Sequence, residues 1–95
     1  MLAVRWLPKA GADLATIIGD IAERNDLAAS KLQDDIERAT SQLPQHPYLY
    51  RLGRVAGTRE MVVNNNYVIV YRVLPKVIEI VSVLHSRQRY PAKLP

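Results

Sequence analysis

Hydrophobic residues in the first half of the chain recur at the spacing of helices that bury one face. The apolar positions are Leu14, Ile17, Ile18, Ile21 and Ala22 within residues 10–24, then Ala29, Leu32, Ile36, Ala39 and Leu43 up to Pro44. Both sets follow the i, i+3, i+4, i+7 pattern of an amphipathic helix. Asn25-Asp26 interrupts the pattern, and Asp26 is of a type that caps helices. The two segments therefore predict an antiparallel helical hairpin.

The second half changes to the alternation of β-branched and aromatic residues that is typical of strands. Residues 59–63, 67–74 and 77–85 are the three predicted strands. Asn64-Asn65-Asn66 lies between the first two, and asparagine tolerates the left-handed backbone of tight hairpin turns. Pro75-Lys76 separates the second strand from the third. This order predicts a three-strand antiparallel meander.

Charge predicts how the two longest strands pair. If Pro75 and Lys76 form a two-residue loop, Arg72 lies directly opposite Glu79. Opposite charges that face each other across a ladder stabilise it by about 0.2–1 kcal/mol. A slip of one residue would lose this pair and move every side chain to the other face.

The same register predicts two faces for the sheet. One face holds Val68, Val70, Arg72, Glu79, Val81 and Val83, extended by His85, and the other holds Tyr67, Ile69, Tyr71, Val73, Ile78, Ile80, Ser82 and Leu84. The second set is bulkier, so we assign it to the main core beneath the helices. The first set carries the charges, and we expect another protein to cover part of it.

The complete chain is expected to form a single α+β domain, residues 1–95. Residues 2–7 alternate loosely and end at Pro8, so they predict a short strand added to the sheet. The predicted order is an N-terminal strand, an antiparallel helical hairpin, a loop over residues 45–56, and the three-strand antiparallel meander.

Composition excludes several classes of function. The chain has no cysteine, which excludes disulfides and thiol chemistry, and its two isolated histidines do not make a metal-ligand set. We expect no metal and no cofactor. No apolar run approaches the ~20 residues of a membrane helix, and the amino terminus lacks a signal-peptide core, so a cytoplasmic location is expected. A net charge of +4 favours an acidic partner such as nucleic acid, the ribosome or an acidic protein segment.

One group of residues has the chemistry to cleave RNA. Arg59, His85, Arg87, Arg89 and Tyr90 are predicted to gather at one end of the sheet and in the tail that follows it. His85 would act as general acid or base, and the arginines would stabilise the charged phosphate. The alternative is that His85 caps a strand and the arginines form a solvated tail.

An ordered set of short segments resembles the RelE/ParE toxin superfamily. The segments are Trp6-Leu7-Pro8, Ala12-Asp13-Leu14, His46-Pro47-Tyr48, residues 53–60, Asn66-Tyr67, residues 70–73 and Val83-Leu84-His85. The resemblance spans nearly the whole chain and implies the fold just described. It also implies the stable toxin of a bacterial type II toxin–antitoxin pair, neutralised by a labile antitoxin from the same operon.

The superfamily divides by target, and this chain resembles the ParE branch more closely. ParE-like members inhibit DNA gyrase by binding, whereas RelE-like members are similar to ribosome-dependent endoribonucleases, or mRNA interferases. Arginines typical of the RelE branch are replaced by Val68 and Ser86, although Arg87 lies one position away. The end of the last strand, followed by basic residues, is similar to the ParE branch. Other nucleases of the superfamily use a histidine here, which keeps His85 as a candidate.

The resemblance leaves three hypotheses with different site residues. A gyrase inhibitor would contact its target through Arg87, Arg89 and Tyr90. A RelE-like nuclease would use His85, Arg59, Arg87 and Tyr90 as catalytic residues. The third hypothesis is a nontoxic binder that keeps the fold. In the toxin cases we expect an acidic, partly disordered antitoxin segment to cover Val68, Val70, Arg72, Val81 and Val83.

Overall fold

A five-stranded sheet and a helical hairpin form the two layers of the computed structural model, which describes residues 2–91. The elements in chain order are β1 (Ala3–Trp6), α1 (Pro8–Ala22), α2 (Asp26–Ser41), a 3-10 turn (Leu43–Gln45), β2 (Arg51–Leu52), β3 (Arg59–Val63), β4 (Tyr67–Val73) and β5 (Val77–His85). The sheet order is β1-β5-β4-β3-β2; β1 runs parallel to β5 and the other pairs are antiparallel. The predicted α+β class is confirmed, while the tail residue Lys93 lies outside the described residues.

The helices begin one or two positions from where the pattern placed them. Proline at the first position of α1 loses no hydrogen bond there, so the helix starts at Pro8. The cap of α2 is Asn25 rather than Asp26, because Asn25 is extended and its side-chain oxygen accepts the N–H of Ala28 at 3.0 Å. Asp26 instead lies in the first turn, where its negative charge favours the helix dipole.

The left-handed turn predicted between β3 and β4 and the register predicted next to the turn between β4 and β5 are both confirmed. Asn64 and Asn65 have φ angles of 55° and 63°, the left-handed conformation that the turn between β3 and β4 needs. Leu74 donates its N–H to the carbonyl of Val77 at 2.8 Å. Arg72 is therefore opposite Glu79, and the two side chains form an ion pair of 2.7 Å.

A β-bulge overturns part of the predicted division of faces. Tyr71 lies opposite Ile80 but Val70 lies opposite Ser82, so Val81 has no partner in β4. An extra residue in one strand reverses the alternation of side chains beyond it. Val83 consequently packs in the core beneath the helices, and Leu84 lies on the opposite face with Val68 and Val70. The prediction had these two residues the other way round. It also put His85 on the face of Val68 and Val70, whereas His85 pairs with Tyr67 and lies on the helix face, next to α1.

Asp13 of α1 supports the edge of β5 beyond the point where β1 ends. Its carboxylate accepts the hydroxyl of Ser82 at 2.8 Å and the N–H of Val83 at 3.1 Å, and it pairs with Lys9. Burial on its own raises the pKa of Asp13, but these hydrogen bonds outweigh it and the pKa lies below its ordinary value. A helix side chain thus satisfies backbone that has no strand partner.

The sheet has a core on each face. The helix face carries the larger core, whose buried residues are Ala10, Leu32, Ile36, Leu43, Met61, Val63, Ile69, Tyr71, Ile78, Ile80 and Val83. The opposite face, called the far face below, carries a smaller cluster of Val68, Val70 and Leu84, against which Val81 and Tyr90 pack. The carboxy-terminal segment therefore covers part of the far face.

Strand β2 lies within the segment predicted to be a loop. Arg51 pairs with Glu60 and Leu52 with Arg59, which adds β2 to the outer edge of β3. Two residues are too few to show an alternating pattern, so the sequence carries no periodic signal for this strand.

We expect Gly53→Ala to destabilise the protein by about 1–3 kcal/mol. Gly53 donates its N–H to the carbonyl of Thr58 at 2.7 Å, and an added Cβ would lie 2.1 Å from the Thr58 hydroxyl and 3.0 Å from its carbonyl. The matched control is Gly11→Ala within α1, where no atom lies within 4 Å of the added carbon. The control is expected to gain about 0.5–1 kcal/mol. Urea denaturation measures both, and equal stability of the two variants would contradict the close approach.

Candidate functional site

The two layers of the protein differ in charge. The helical hairpin, residues 8–41, holds four of the thirteen Lys and Arg residues and seven of the nine Asp and Glu residues, so the rest of the chain holds nine basic residues and two carboxylates. Those two carboxylates are Glu60 and Glu79. The sheet layer is consequently basic and the helical hairpin acidic, which directs acidic partners toward the sheet.

Glu60 holds two arginines at the β2 side of the far face. Arg51 donates to one carboxylate oxygen at 2.9 Å, and Arg54 donates to the other from its side chain at 3.0 Å and from its backbone at 2.9 Å. The Glu60 side chain is 1% exposed, whereas those of Arg51 and Arg54 are 59% and 41% exposed. Burial raises the pKa of Glu60, but the hydrogen bonds from Arg54 and Arg51 outweigh it and lower the pKa overall.

Glu79 holds a second pair of arginines at the β1 side of the same face. Arg5 on β1 and Arg72 on β4 both lie opposite Glu79 on β5, and each guanidinium pairs with one carboxylate oxygen. Hydrogen bonds from Arg5 and then Arg72 lower the pKa of Glu79. Each group of two arginines and one glutamate, called an arginine triad below, leaves one positive charge in excess.

A groove with an apolar floor lies on the far face beside the first triad. Its volume is about 550 Å³, and the residues that line it include Arg51, Arg54, Val62, Val68 and Ser86. Val68 also belongs to the apolar cluster with Val70 and Leu84, which Val81 and Tyr90 cover. A basic rim over an apolar floor suits an extended segment that carries apolar anchors and carboxylates.

The predicted antitoxin-binding residues occupy the far face with one exception. Val68 and Val70 are there but are only 2% and 0% exposed, because Tyr90 and Val81 pack on them. Arg72 belongs to the second triad and is exposed. Val83 was predicted for this face and instead lies in the helix-face core, 2% exposed, because of the bulge.

His85 lies at the end of β5 on the helix face of the sheet, next to α1. Its ring meets that of Tyr67 edge to face, with centroids 5.3 Å apart. Its Nδ1 accepts the backbone N–H of Arg87 at 3.1 Å. A cavity of about 220 Å³ beside the ring is also lined by Asp20 and Arg24 of α1.

The four predicted catalytic residues do not gather at one place, although Arg87 contacts His85. Arg59 on β3 pairs with Tyr71, whereas His85 on β5 pairs with Tyr67, four positions away along β4. The two residues are therefore offset by about 13 Å along the strands and also lie two strands apart. The Arg59 guanidinium donates to the carbonyls of Tyr48 and Tyr50 at 3.3 and 2.8 Å. The prediction that Arg59 joins His85 at one end of the sheet is therefore wrong.

Tyr90 is placed differently from the other predicted catalytic residues. It packs on the far face, with the guanidinium of Arg54 5.2 Å from its ring centre, whereas His85 borders the cavity beside α1. Arg87 and Arg89 are exposed in the segment between them. The structure thus pairs Tyr90 with Arg54, which is not among the predicted residues.

Sequence reasoning also missed Arg5, Arg51 and Glu60, although one signal for the triads was present. Glu60 and Glu79 are the only carboxylates after Glu37, so each was a candidate to gather several of the many arginines. Which arginines surround which glutamate depends on strand order, and β2 carried no pattern of its own.

Two kinds of feature are absent from residues 2–91. This part of the chain contains no group of three or more His, Asp or Glu side chains placed to hold a metal ion. None of its helices is long and apolar enough to cross a membrane.

Comparisons with known proteins all find toxins or a toxin–antitoxin system. The family profile described as "ParE toxin of type II toxin-antitoxin system, parDE" matches residues 4–90. A protein named putative toxin Y4kP from Sinorhizobium fredii is 33% identical over 92 residues, covering 96% of this chain and 95% of that protein. Toxin RelE2 from Caulobacter vibrioides is 35% identical over 86 residues, covering 90% and 97%. A solved structure of the chromosomal ParDE toxin-antitoxin system from P. aeruginosa matches with a TM-score of 0.81 and 26% identity, covering 90% and 96%.

We expect the stability that Glu60 provides to be present at neutral pH and lost in acid. The pKa of Glu60 is lowered from its ordinary value of 4.5, so the folded protein binds this proton less readily than the unfolded chain does. The free energy of unfolding therefore falls as the pH drops below about 4.5 and through the folded pKa. Glu60→Gln should lower the free energy of unfolding by about 1–3 kcal/mol at pH 7. On further acidification, its free energy of unfolding should fall by less than that of the wild type.

Urea denaturation at pH 7, 5 and 3 measures this difference. Glu23→Gln, at an exposed position after α1, is the control and should follow the wild type at every pH. Parallel acid curves for wild type and Glu60→Gln would contradict the role given to this carboxylate.

Proposed function

The chain belongs to the ParE toxin family of type II toxin–antitoxin systems, and from this premise we propose that it stops growth by binding DNA gyrase. It is the toxin component of such a system, and its partner is a cognate antitoxin. Beyond this role, we propose that the target is DNA gyrase and that the toxin does not cleave RNA. A gyrase inhibitor acts in the cytoplasm, where gyrase and its DNA are found.

The observation that carries the proposal is the separation of the candidate catalytic groups. Cleavage of RNA by acid–base chemistry needs a proton-transfer group and cationic donors around one phosphate. Arg59 is offset from His85 by about 13 Å along the strands, lies two strands away, and donates its hydrogen bonds to two backbone carbonyls. Tyr90 packs on the far face with Arg54. This arrangement supports inhibition by binding.

A RelE-like endoribonuclease is the second candidate, and the surroundings of His85 favour it. The ring borders a cavity of about 220 Å³ that Arg24 also lines. A phosphate there would meet the guanidinium of Arg24 and the imidazole of His85. Arg87, bonded to the His85 ring through its backbone, would stand in for the arginine that Ser86 replaces.

We assign contact with gyrase to Arg87, Arg89 and Tyr90. Both arginines are exposed, and Tyr90 anchors the segment on the cluster of Val68, Val70 and Leu84. An anchored segment presents its charges with less loss of conformational entropy than a free tail does.

We expect the purified toxin to inhibit supercoiling by gyrase while messenger RNA in a translating extract stays intact. His85→Gln should keep the inhibition, because a binding surface needs no proton transfer. Arg87→Gln with Arg89→Gln should weaken it about 10-fold or more, since both charges would meet an acidic partner. Growth arrest on expression should follow the same order, and retained antitoxin binding shows that each variant folds.

Three results would contradict this proposal. Cleaved messenger RNA with gyrase unaffected would favour the nuclease. A loss of 10²–10⁴-fold in activity for His85→Gln alone would do the same, since that is the usual contribution of proton transfer. A purified toxin without effect in either assay would favour the nontoxic binder.

We further propose that the antitoxin segment lies along the far face, with carboxylates near both arginine triads. The groove supplies an apolar floor at Val62 and Val68. Each triad leaves one positive charge in excess, so acidic side chains at the two ends would be paired. Such a segment would become ordered on binding. It would contact Arg72 and Val81, whereas Val83 lies in the helix-face core and is not part of the proposed contact.

We expect Arg5→Gln with Arg51→Gln to weaken antitoxin binding about 10-fold, mainly through slower association at low salt. Each glutamate keeps one arginine in this variant, so neither carboxylate is left unpaired. The matched control is Arg24→Gln with Lys31→Gln, which removes the same charge from the helical layer. Surface plasmon resonance at two salt concentrations measures the rates. An equal loss in both variants would assign the effect to net charge and contradict the proposed location.

A further inference from the structure

Three large hydrophobic side chains are exposed between the 3-10 turn and the end of β2, and two of them, Tyr48 and Leu52, line one small cavity. Tyr48, Leu49 and Leu52, called the loop patch below, are 65%, 68% and 74% exposed. In the part of the chain that the structure describes, only Leu27 and Val62 are comparable. Isolated exposed leucines are ordinary, but a cluster of large apolar residues marks an interaction surface.

The loop patch is held firmly to the body of the protein. Arg59 donates to the carbonyls of Tyr48 and Tyr50, and its guanidinium lies 5.1 Å from the Tyr48 ring centre. The hydroxyl of Tyr71, which is buried in the helix-face core, donates to the carbonyl of Pro47 at 2.8 Å. Leu49 donates its N–H to His46 at 3.2 Å. A surface fixed in this way loses little entropy when a partner binds.

The charge around the loop patch selects an acidic partner. The guanidinium of Arg59 lies beside the Tyr48 ring, and Arg51 and Arg54 line the groove that Leu52 borders, whereas the Glu60 carboxylate between those two arginines is buried. A second copy of the chain is disfavoured, because a two-fold contact would bring these arginines against their own equivalents. An acidic surface with an apolar centre complements the patch in both charge and polarity.

The location of the loop patch separates it from the proposed antitoxin site. Tyr48 and Leu49 do not line the far-face groove, whereas Leu52 borders both that groove and a small cavity next to Tyr48. A segment in the groove therefore leaves Tyr48 and Leu49 free for another protein. It also lies directly beside them, so it would obstruct a large partner that approached the patch.

We propose that the loop patch is a contact surface for the toxin's protein target, with Tyr48 and Leu49 entering an apolar pocket rimmed by carboxylates. The inference rests on the proposed function, in that the toxin acts by binding. Burial of an aromatic and an aliphatic anchor supplies most of the affinity in such interfaces, while surrounding charges steer the approach. The antitoxin then neutralises the toxin by occupying the adjacent groove.

The test compares Tyr48→Ser/Leu49→Ser with Leu27→Ser. Leu27 is 84% exposed on α2, in the acidic layer, and serves as the matched control. We leave Leu52 unchanged because it also lines the groove. The readouts are inhibition of purified gyrase, growth arrest on expression, and affinity for the cognate antitoxin. Both variants should melt within about 3 °C of the wild type, since the substituted side chains are exposed and the hydrogen bonds of Arg59 and Tyr71 to the loop backbone remain.

We expect the loop-patch variant to lose at least about 10-fold in gyrase inhibition and in growth arrest. Its antitoxin affinity should stay within about 2-fold of the wild type, and Leu27→Ser should be unchanged in every assay. Full activity of the loop-patch variant would overturn the proposal. An equal fall in antitoxin affinity would also overturn it, because the occupant would then be the antitoxin.

Two further outcomes separate the proposal from its premise and from self-association. If the wild type arrests growth without inhibiting gyrase, the proposed target is wrong. Growth arrest that is lost in the Tyr48→Ser/Leu49→Ser variant would still support the loop patch as a contact with another target. Sedimentation velocity should show a monomer for wild type and variant. A wild-type dimer that the loop-patch substitutions dissociate would assign the patch to a second copy and overturn the proposal.

Discussion

The ion pairs of Glu79 with Arg5 and Arg72 join three adjacent strands, and the arrangement of the sheet depends on them. Arg5, Glu79 and Arg72 face one another across β1, β5 and β4, so a shift of either neighbour by one residue would separate the charges. A buried carboxylate without a partner is strongly unfavourable, whereas the exposed arginines lose little hydration. The triad therefore acts chiefly against wrong registers, and its excess positive charge remains available to a partner.

The bulge at Val81 determines which surfaces the protein presents. Because it reverses the side chains beyond it, Val83 completes the core beneath the helices and Leu84 adds to the far face. Asp13 on α1 bonds to Ser82 and Val83, which ties the irregular part of β5 to the helical layer. A larger apolar cluster on the far face results, and Tyr90 covers part of it.

The proposed surfaces for antitoxin and target are neighbours on one basic layer. The far-face groove has an apolar floor between arginines, which suits a flexible acidic segment. The loop patch is rigid and exposed, which suits a folded partner with a pocket. Because Leu52 borders both, occupation of the groove obstructs the patch without covering it entirely. Steric exclusion of this kind needs no change in the fold of the toxin.

Local sequence determined the helices, the three longer strands, their turns and the pairing of Arg72 with Glu79, because periodicity, turn residues and cross-strand charge act between near neighbours. The parallel partner of β5, the existence of β2 and the bulge came from tertiary structure alone. A two-residue strand has no period, and an unpaired Val81 looks like any other valine in a strand. The site shows the same division. The sequence showed the surplus of arginines. Strand order placed Arg51 and Arg54 around Glu60 and kept Arg59 away from His85. Those distances depend on contacts between segments far apart in the chain, so local sequence did not determine them.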